Sequence, residues 1–144
     1  MTVTVRCAQG PGEVADAIAL RSAVFVEEQG VPADEDVDGR DGEALHLVAV
    51  DDAGTVVGTC RLLVDGPTLK LGRMAVAVTA RRQGIGLRLL DLADAEATSA
   101  GVERIVLGAQ VSAVPLYEQA GYTTRSDVFL DAGIEHVWME KQRA

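Results

Sequence analysis

Residues 75–90, AVAVTARRQGIGLRLL, switch hydrophobic period within a few positions. The alternating AVAV suits a strand, whose successive side chains face opposite sides. Ile85, Leu89, Leu92 and Ala93 then recur at helical spacing as far as a stop at Gly101. Two arginines, Gln83 and the glycines at 84 and 86 lie at the junction. Glycine removes the Cβ atoms that would hold a ligand away from backbone N–H groups. At a helix start those N–H groups are unpaired and carry partial positive charge. Arg81 and Arg82 add full charge in a chain whose formal net charge is -9. The junction is an anion cradle suited to a phosphate or pyrophosphate. Taken alone, the segment also fits a tight turn with solvated arginines.

Around this junction the chain reads as one domain over residues 1–144. TVTVRC forms a first strand, closed by a QGPG turn, and EVADAIALRSAVFVEEQ forms a helix stopped by Gly30 and Pro32. The acidic stretch from Pro32 to Glu43 has too little apolar content for anything but a loop. ALHLVAVD, TVVGTCRLLV and LKLGRMAVAV are three successive strands. After the 85–100 helix come the strand ERIVLGAQ and the short helix SAVPLYEQAG, with Ser112 as N-cap and Gly121 as stop. YTTRSDVFL and IEHVWMEK close the chain as two strands. The order β-α-β-β-β-α-β-α-β-β predicts an α+β fold, a mixed sheet with helices on its faces.

Several classes drop out. A net charge of -9 and a pI near 4.6 disfavour a nucleic-acid partner. Cys7 and Cys60 form no C-x-x-C pair and follow no secretory signal, which suggests reduced thiols and a cytoplasmic location. No apolar run is long enough to span a bilayer. DEDVDGRDGEAL, residues 34–45, imitates a calcium loop, but its twelfth position is Leu45 instead of a bidentate Glu, and a strand follows. No metal is expected. A P-loop would need Gly-Lys-Ser/Thr, and a dinucleotide fingerprint would need glycine where Leu89 stands.

RRQGIG matches the Q/R-x-x-G-x-G/A signature of the GNAT superfamily of acyl-CoA-dependent N-acyltransferases, and the element order resembles that fold along essentially the whole chain. VFVEEQGVPADEDVDG, HLVAV, LGAQVSAVPLYEQAGY and FLDAGIEHVWM resemble the ElaA-like branch of small bacterial GNAT proteins. The resemblance implies a three-layer GNAT domain with a largely antiparallel mixed sheet. The second short helix usual in that fold is replaced here by the 30–43 loop. It also implies acetyl-CoA as co-substrate and an amine acceptor. Arg81, Arg82, Gln83, Gly84, Ile85, Gly86 and Leu87 would wrap the pyrophosphate. Met74, Ala75 and Val76 would pair with the pantetheine arm, in a slot whose other wall includes Gln110. An N–H near Val76 would receive the acyl oxygen.

The resemblance gives Tyr117 one of two roles, protonating the departing thiolate or packing under the arm; Tyr122 belongs to the core. A base for the acceptor amine is open among Glu28, His46, the Glu135–His136 pair and a water chain. Asp34, Glu35, Asp36, Asp38, Asp41 and Glu43 could attract a cationic amine or could be a solvated charge run. The activity expected is transfer of an acetyl group to a primary amine by direct attack. The alternatives are a non-catalytic acyl-CoA sensor of the same fold, or a domain whose glycine turn binds nothing. A homodimer is compatible with the sequence, with Val137, Trp138 and Met139 serving either a core or a dimer seam.

Overall fold

The computed structural model describes residues 2–143. Its strands are β1 (Val3–Cys7), β2 (Leu45–Asp51), β3 (Val56–Asp65), β4 (Thr68–Val76), β5 (Arg104–Gln110), β6 (Thr123–Thr124), β7 (Phe129–Asp131) and β8 (Ile134–Gln142). They join in one sheet of order β1-β2-β3-β4-β5-β8-β6, with β7 also on β8. Only the β4–β5 pairing is parallel. That pair needs a crossover, which the helix α3 (Ile85–Ala100) supplies.

Strand alternation sends alternate residues of the sheet to two cores. Leu47, Ala49, Leu69, Leu71, Ile105 and Leu107 face α3 and the short helix α4 (Val114–Gln119), where Leu89, Ala93 and Tyr117 meet them. Val48, Val50 and Val56 face the other way, onto Ala17 of α1 (Gly10–Arg21). Each fully buried leucine contributes roughly 1.5–3 kcal/mol by leaving water.

Four local expectations need correction. QGPG is not a turn. It supplies the first turn of α1, with Pro11 in the early position where no N–H is required. Glu13 accepts the Gln9 N–H at 2.8 Å and fixes that start. The 30–43 segment is not wholly loop, because Ala33–Asp36 forms the one-turn helix α2, its acids in the favourable first turn. Ser112 does not cap α4, since it lies in a 3-10 turn and Ala113 occupies the cap position. YTTRSDVFL is not one strand. It breaks between β6 and β7, where Ser126 Oγ accepts the Trp138 N–H at 2.9 Å and replaces a ladder bond.

The helix after β1 also changes pitch. Ser22–Glu28 continues α1 as a π-helical segment, and the Gln29 N–H reaches back five residues to Val24 at 3.1 Å. This end of the helix carries Phe25 and Gln29 to the cleft described next.

Candidate active site

β4 and β5 pair only through Thr68–Arg104, Leu69–Ile105 and Lys70–Val106. Beyond Lys70 the strands separate, β4 staying with β3 and β5 with β8. The result is a V-shaped slot inside a cleft of about 370 Å3. Its β4 edge is shaped by a bulge. Gly72 opposes Arg61 and Ala75 opposes Thr59, so three steps on β4 match two on β3. Arg73, in the bulge, adopts φ +55°, a left-handed backbone that non-glycine residues seldom take. Past it, the Ala77 N–H donates to Val57 at 2.8 Å. By alternation the Val76 N–H turns the other way, toward the slot.

The cradle lies at the slot's open end. Arg82 (φ +64°) and Gly84 (φ +78°) bend the chain into α3, and no side chain caps the helix. The amides of Ile85, Gly86 and Leu87 therefore begin the helix without a capping acceptor. Ile85 keeps its side chain in the core and offers only backbone here. Gly86 has a further reason to be glycine, because a Cβ there would sit 3.2 Å from Leu116. Arg81 ties the turn to β4 by donating from Nε to the Val76 carbonyl at 2.9 Å.

Electrostatics single out the same place. Among the described residues, carboxylates pair with every lysine and arginine except Lys70, Arg82 and Arg88. Two of those three stand at the start of α3. Arg88 donates to the Val3 carbonyl at 2.8 Å, so Arg82 is the guanidinium left without a partner among the described residues, and in a chain with excess acid its place beside uncapped amides fits a polyanionic ligand such as the pyrophosphate of coenzyme A.

Met74, Ala75, Val76, Arg81, Gln110 and Tyr117 all line the cleft. Gln110 donates to Gln29 at 2.8 Å, joining β5 to the end of the π segment. Tyr117 is buried and lines the cleft, and its hydroxyl, unlike that of Tyr122, is not among the fully enclosed polar atoms without a partner. Burial, and then the neighbouring Cys60, push its pKa up, so the phenol stays protonated across the neutral range. Tyr122 lies in the core, as expected, edge-on to Tyr117.

The structure does not bring the proposed bases together. His46 is buried on the α1 side of β2, with Nε2 2.9 Å from the Asp41 carbonyl, and it does not line the cleft. Glu28 is off the cleft lining as well. Both its oxygens take Arg81 N–H bonds, at 2.7 and 2.8 Å, and these hold its pKa below the usual range. His136 does line the cleft, and its Nδ1 lies 2.7 Å from the Ile134 carbonyl. With Nδ1–H donating there, Nε2 is left as the lone-pair nitrogen.

The acidic loop is neither a solvated run nor an open funnel. Asp36, Asp38 and Asp41 serve as counter-charges to arginines. Arg21, 1% exposed, binds Asp36 at 3.3 Å and Asp41 at 2.7 Å. Arg61, 4% exposed, binds Asp38 and Asp41, and its bonds draw the Asp38 pKa well down. Arg73 donates to the carbonyls of Glu35 and Asp36, pinning α2 against the bulge. Glu35 alone of the six acids lines the cleft without an ion pair among the described residues.

A family model described as an acetyltransferase (GNAT) domain matches residues 16–143. The chain belongs to the GNAT acetyltransferase family. It is 37% identical to the uncharacterized N-acetyltransferase YjcF of Bacillus subtilis (strain 168) over 135 residues, 93% of this chain and 96% of that one. An acyl-CoA N-acyltransferase from Pseudomonas aeruginosa superposes with a TM-score of 0.86 at 29% identity, covering 97% of this chain and 99% of that one. Escherichia coli ElaA shares the fold, with a TM-score of 0.87 at 23% identity over 98% of this chain and 100% of that one. The protein is accordingly an acyl-CoA-dependent N-acetyltransferase.

Two features of this GNAT site escaped the sequence. Arg73 was hidden inside an apparent strand, though the isolated Gly72 beside it is the kind of signal that marks a bulge. From sequence, Trp138 fits either a core or a seam. Val137 and Met139 are core, while Trp138 is 43% exposed on the opposite face and lines the cleft.

Proposed function

We propose that this GNAT enzyme transfers the acetyl group of acetyl-CoA to a primary amine by direct attack on the thioester. The observation that carries the reading is the slot between β4 and β5, whose lining includes the buried phenol of Tyr117 and reaches Arg81, in the turn that leads to the uncapped start of α3. Arg82, Gly84, Ile85, Gly86 and Leu87 hold the pyrophosphate, and Arg81 fixes their turn to β4. Gln83 contributes its place in the turn. Met74, Ala75 and Val76 present their strand edge to the pantetheine arm, and the Val76 N–H supports the developing oxyanion.

His136 Nε2 takes the proton lost by the acceptor's ammonium group. The free amine forms a bond to the acyl carbon, giving a tetrahedral intermediate whose nitrogen then releases its extra proton to solvent. When the carbon–sulfur bond breaks, Tyr117 donates its proton to the thiolate, and solvent restores the phenol. Glu28 acts here through Arg81 and has no role as a base. Glu35 gives the acceptor's positive charge a partner on the cleft wall.

A calorimetric titration with acetyl-CoA tests the cradle. Saturable binding is expected, and Arg82→Asn, which tolerates the left-handed backbone, should weaken it about tenfold or more. Unchanged affinity in that variant would remove Arg82 from the site. Following release of the CoA thiol across a panel of amines tests transfer. Binding without transfer to any amine would support an acyl-CoA sensor in place of an enzyme acting on amines.

A further inference from the structure

The slot opens on its α1 side into a trough that the transferase chemistry does not by itself explain. Lys70 and Gly72 of β4, Gly108 and Gln110 of β5, and His136 and Trp138 of β8 share that face of the sheet. Their neighbours Leu69, Leu71, Leu107, Val137 and Met139 point to the opposite side, into the core. Two strand glycines thus floor the trough, and neither has a positive φ that would require glycine. A Cβ at Gly108 would lie 3.5 Å from Trp138 Cζ3, an ordinary contact, so the indole lies across β5 directly over this glycine. A Cβ at Gly72 would meet nothing within 4 Å. Gly72 opens the β4 bulge, and with no side chain there the strand also leaves room for close approach by a ligand.

Trp138 lines the trough in a chain with only 3% aromatic residues, backed by Phe129, which is not itself part of the lining. Phe129 stacks on Trp138 with centroids 5.3 Å apart, and on His136 at 5.9 Å. The facing wall is α2, carrying Glu35. The trough and the acyl slot belong to one continuous cleft, so its occupant can deliver an amine to the thioester.

We propose that Trp138 makes this enzyme selective for amines that carry a flat aromatic ring, an arylalkylamine, with the ring against the indole and the nitrogen near Glu35 and His136. This rests on the transferase reading of the slot. A flat ring suits a floor without Cβ atoms and gains from stacking as well as burial. The cleft also carries Asp131, which has no ion pair among the described residues, yet beside the indole a second positive charge on the guest meets cations. Lys70 Nζ already lies 5.6 Å from the indole centroid, and Arg73 also borders the cleft.

Trp138 is the only tryptophan, so its fluorescence reports occupancy directly. The protein is titrated with 2-phenylethylamine and with n-hexylamine, and transfer to each, and to 1,4-diaminobutane, is followed by thiol release. Saturable change in emission with 2-phenylethylamine is expected, with kcat/KM about tenfold above that for hexylamine. Trp138→Leu should bring that ratio close to one, while Trp138→Phe retains part of it. A ratio near one in the native enzyme, a preference for the diamine, or equal losses for both amines in Trp138→Leu would overturn the proposal. So would sedimentation showing a dimer that Trp138→Leu dissociates, which would assign the indole to a seam. An emission response without transfer would sustain the trough and sink the transferase reading. Transfer without an emission response would do the reverse.

Discussion

Replacing Tyr117 with Phe removes one oxygen from the middle of the slot. Tyr117 lines the cleft and its oxygen is not among the fully enclosed polar atoms without a partner, so losing it should change folding stability by no more than about 0.5 kcal/mol. The effect on chemistry should be far larger. A departing thiolate and a phenol have ordinary pKa values of about 8.5 and 10, which leaves the proton transfer modestly uphill. Burial does not widen that gap, because it acts on both groups in the same direction. Cys60, a neighbouring buried thiol, shows the size of the effect on sulfur, its pKa pushed up to about 12 by burial alone. A thiolate expelled beside Tyr117 becomes more basic as the phenol becomes less acidic. General acid catalysis is typically worth about 10^2 to 10^4 in rate, and the uphill transfer argues for the lower end. Tyr117→Phe should therefore lose about a hundredfold in kcat, roughly 3 kcal/mol of barrier.

Single-turnover thiol release with saturating acetyl-CoA and amine is the assay, because it separates chemistry from product release. The control is Tyr122→Phe, whose buried hydroxyl lacks a partner and lies off the cleft. It should turn over like the native enzyme. If Tyr117→Phe kept a native single-turnover rate, the acid role would be refuted, and Tyr117 would be a packing residue under the arm.

Two further outcomes concern the arginine–aspartate cluster. Arg21→Met leaves Asp36, 3% exposed, with only Arg73 at 3.6 Å, so urea denaturation should show a loss of about 3–5 kcal/mol; a loss below about 1 kcal/mol would mean the cluster is not holding the fold. Adding Asp36→Leu removes the stranded charge and should recover much of that loss. The second outcome is a pH dependence. Hydrogen bonds from Arg61 lower the Asp38 pKa, while for Asp41 burial raises it and bonds from Arg21 and Arg61 more than offset the rise. Both carboxylates bind fewer protons folded than unfolded, so their contribution is complete above an ordinary carboxylate pKa of about 4 and is lost as pH falls below it. Melting temperature should be level above about pH 5 and fall below about pH 4, with Asp38→Asn lowering the plateau and flattening the acid limb. An acid limb as steep in Asp38→Asn as in the native protein would place the titrating groups elsewhere.

The fold was legible because the strands of this chain alternate cleanly and its long crossover helix has a distinct period. Periodicity says which face a residue takes, however, and not whether a strand keeps one partner along its length. For that reason β6 and β7 merged into one run, although Ser126 breaks the ladder there. Pitch was equally silent, since the π segment has the same apolar spacing as the helix that precedes it. The cradle could be read because its chemistry is local, a few consecutive residues at one helix start. The base could not, because it depends on register. His46 and His136 look alike in sequence, yet one is buried beneath α1 and the other is set beside Gln110 at the slot.

The acidic loop shows most clearly where local reading stops. Asp36, Asp38 and Asp41 lie within six residues of one another, and from sequence their charge can only be summed. The arginines that answer them come from α1, β3 and β4, separated by up to 38 positions from the groups they bind. Once these are brought together the loop is close to neutral at its base, and the carboxylates that line the cleft without an ion pair among the described residues are Glu35 of the loop and Asp131 of β7. Glu35, set apart from the paired acids in this way, can discriminate, because it answers the guest's charge at a defined point instead of as part of a diffuse field. The same arginines fix where that point lies. Arg73 holds the carbonyls of Glu35 and Asp36 from inside the β4 bulge, so the strand that borders the thioester also sets the wall that meets the amine. A bulge that costs a left-handed arginine is thereby tied to both halves of the reaction. The loop's acid is best understood as the counter-charge that allows this arginine to stay there.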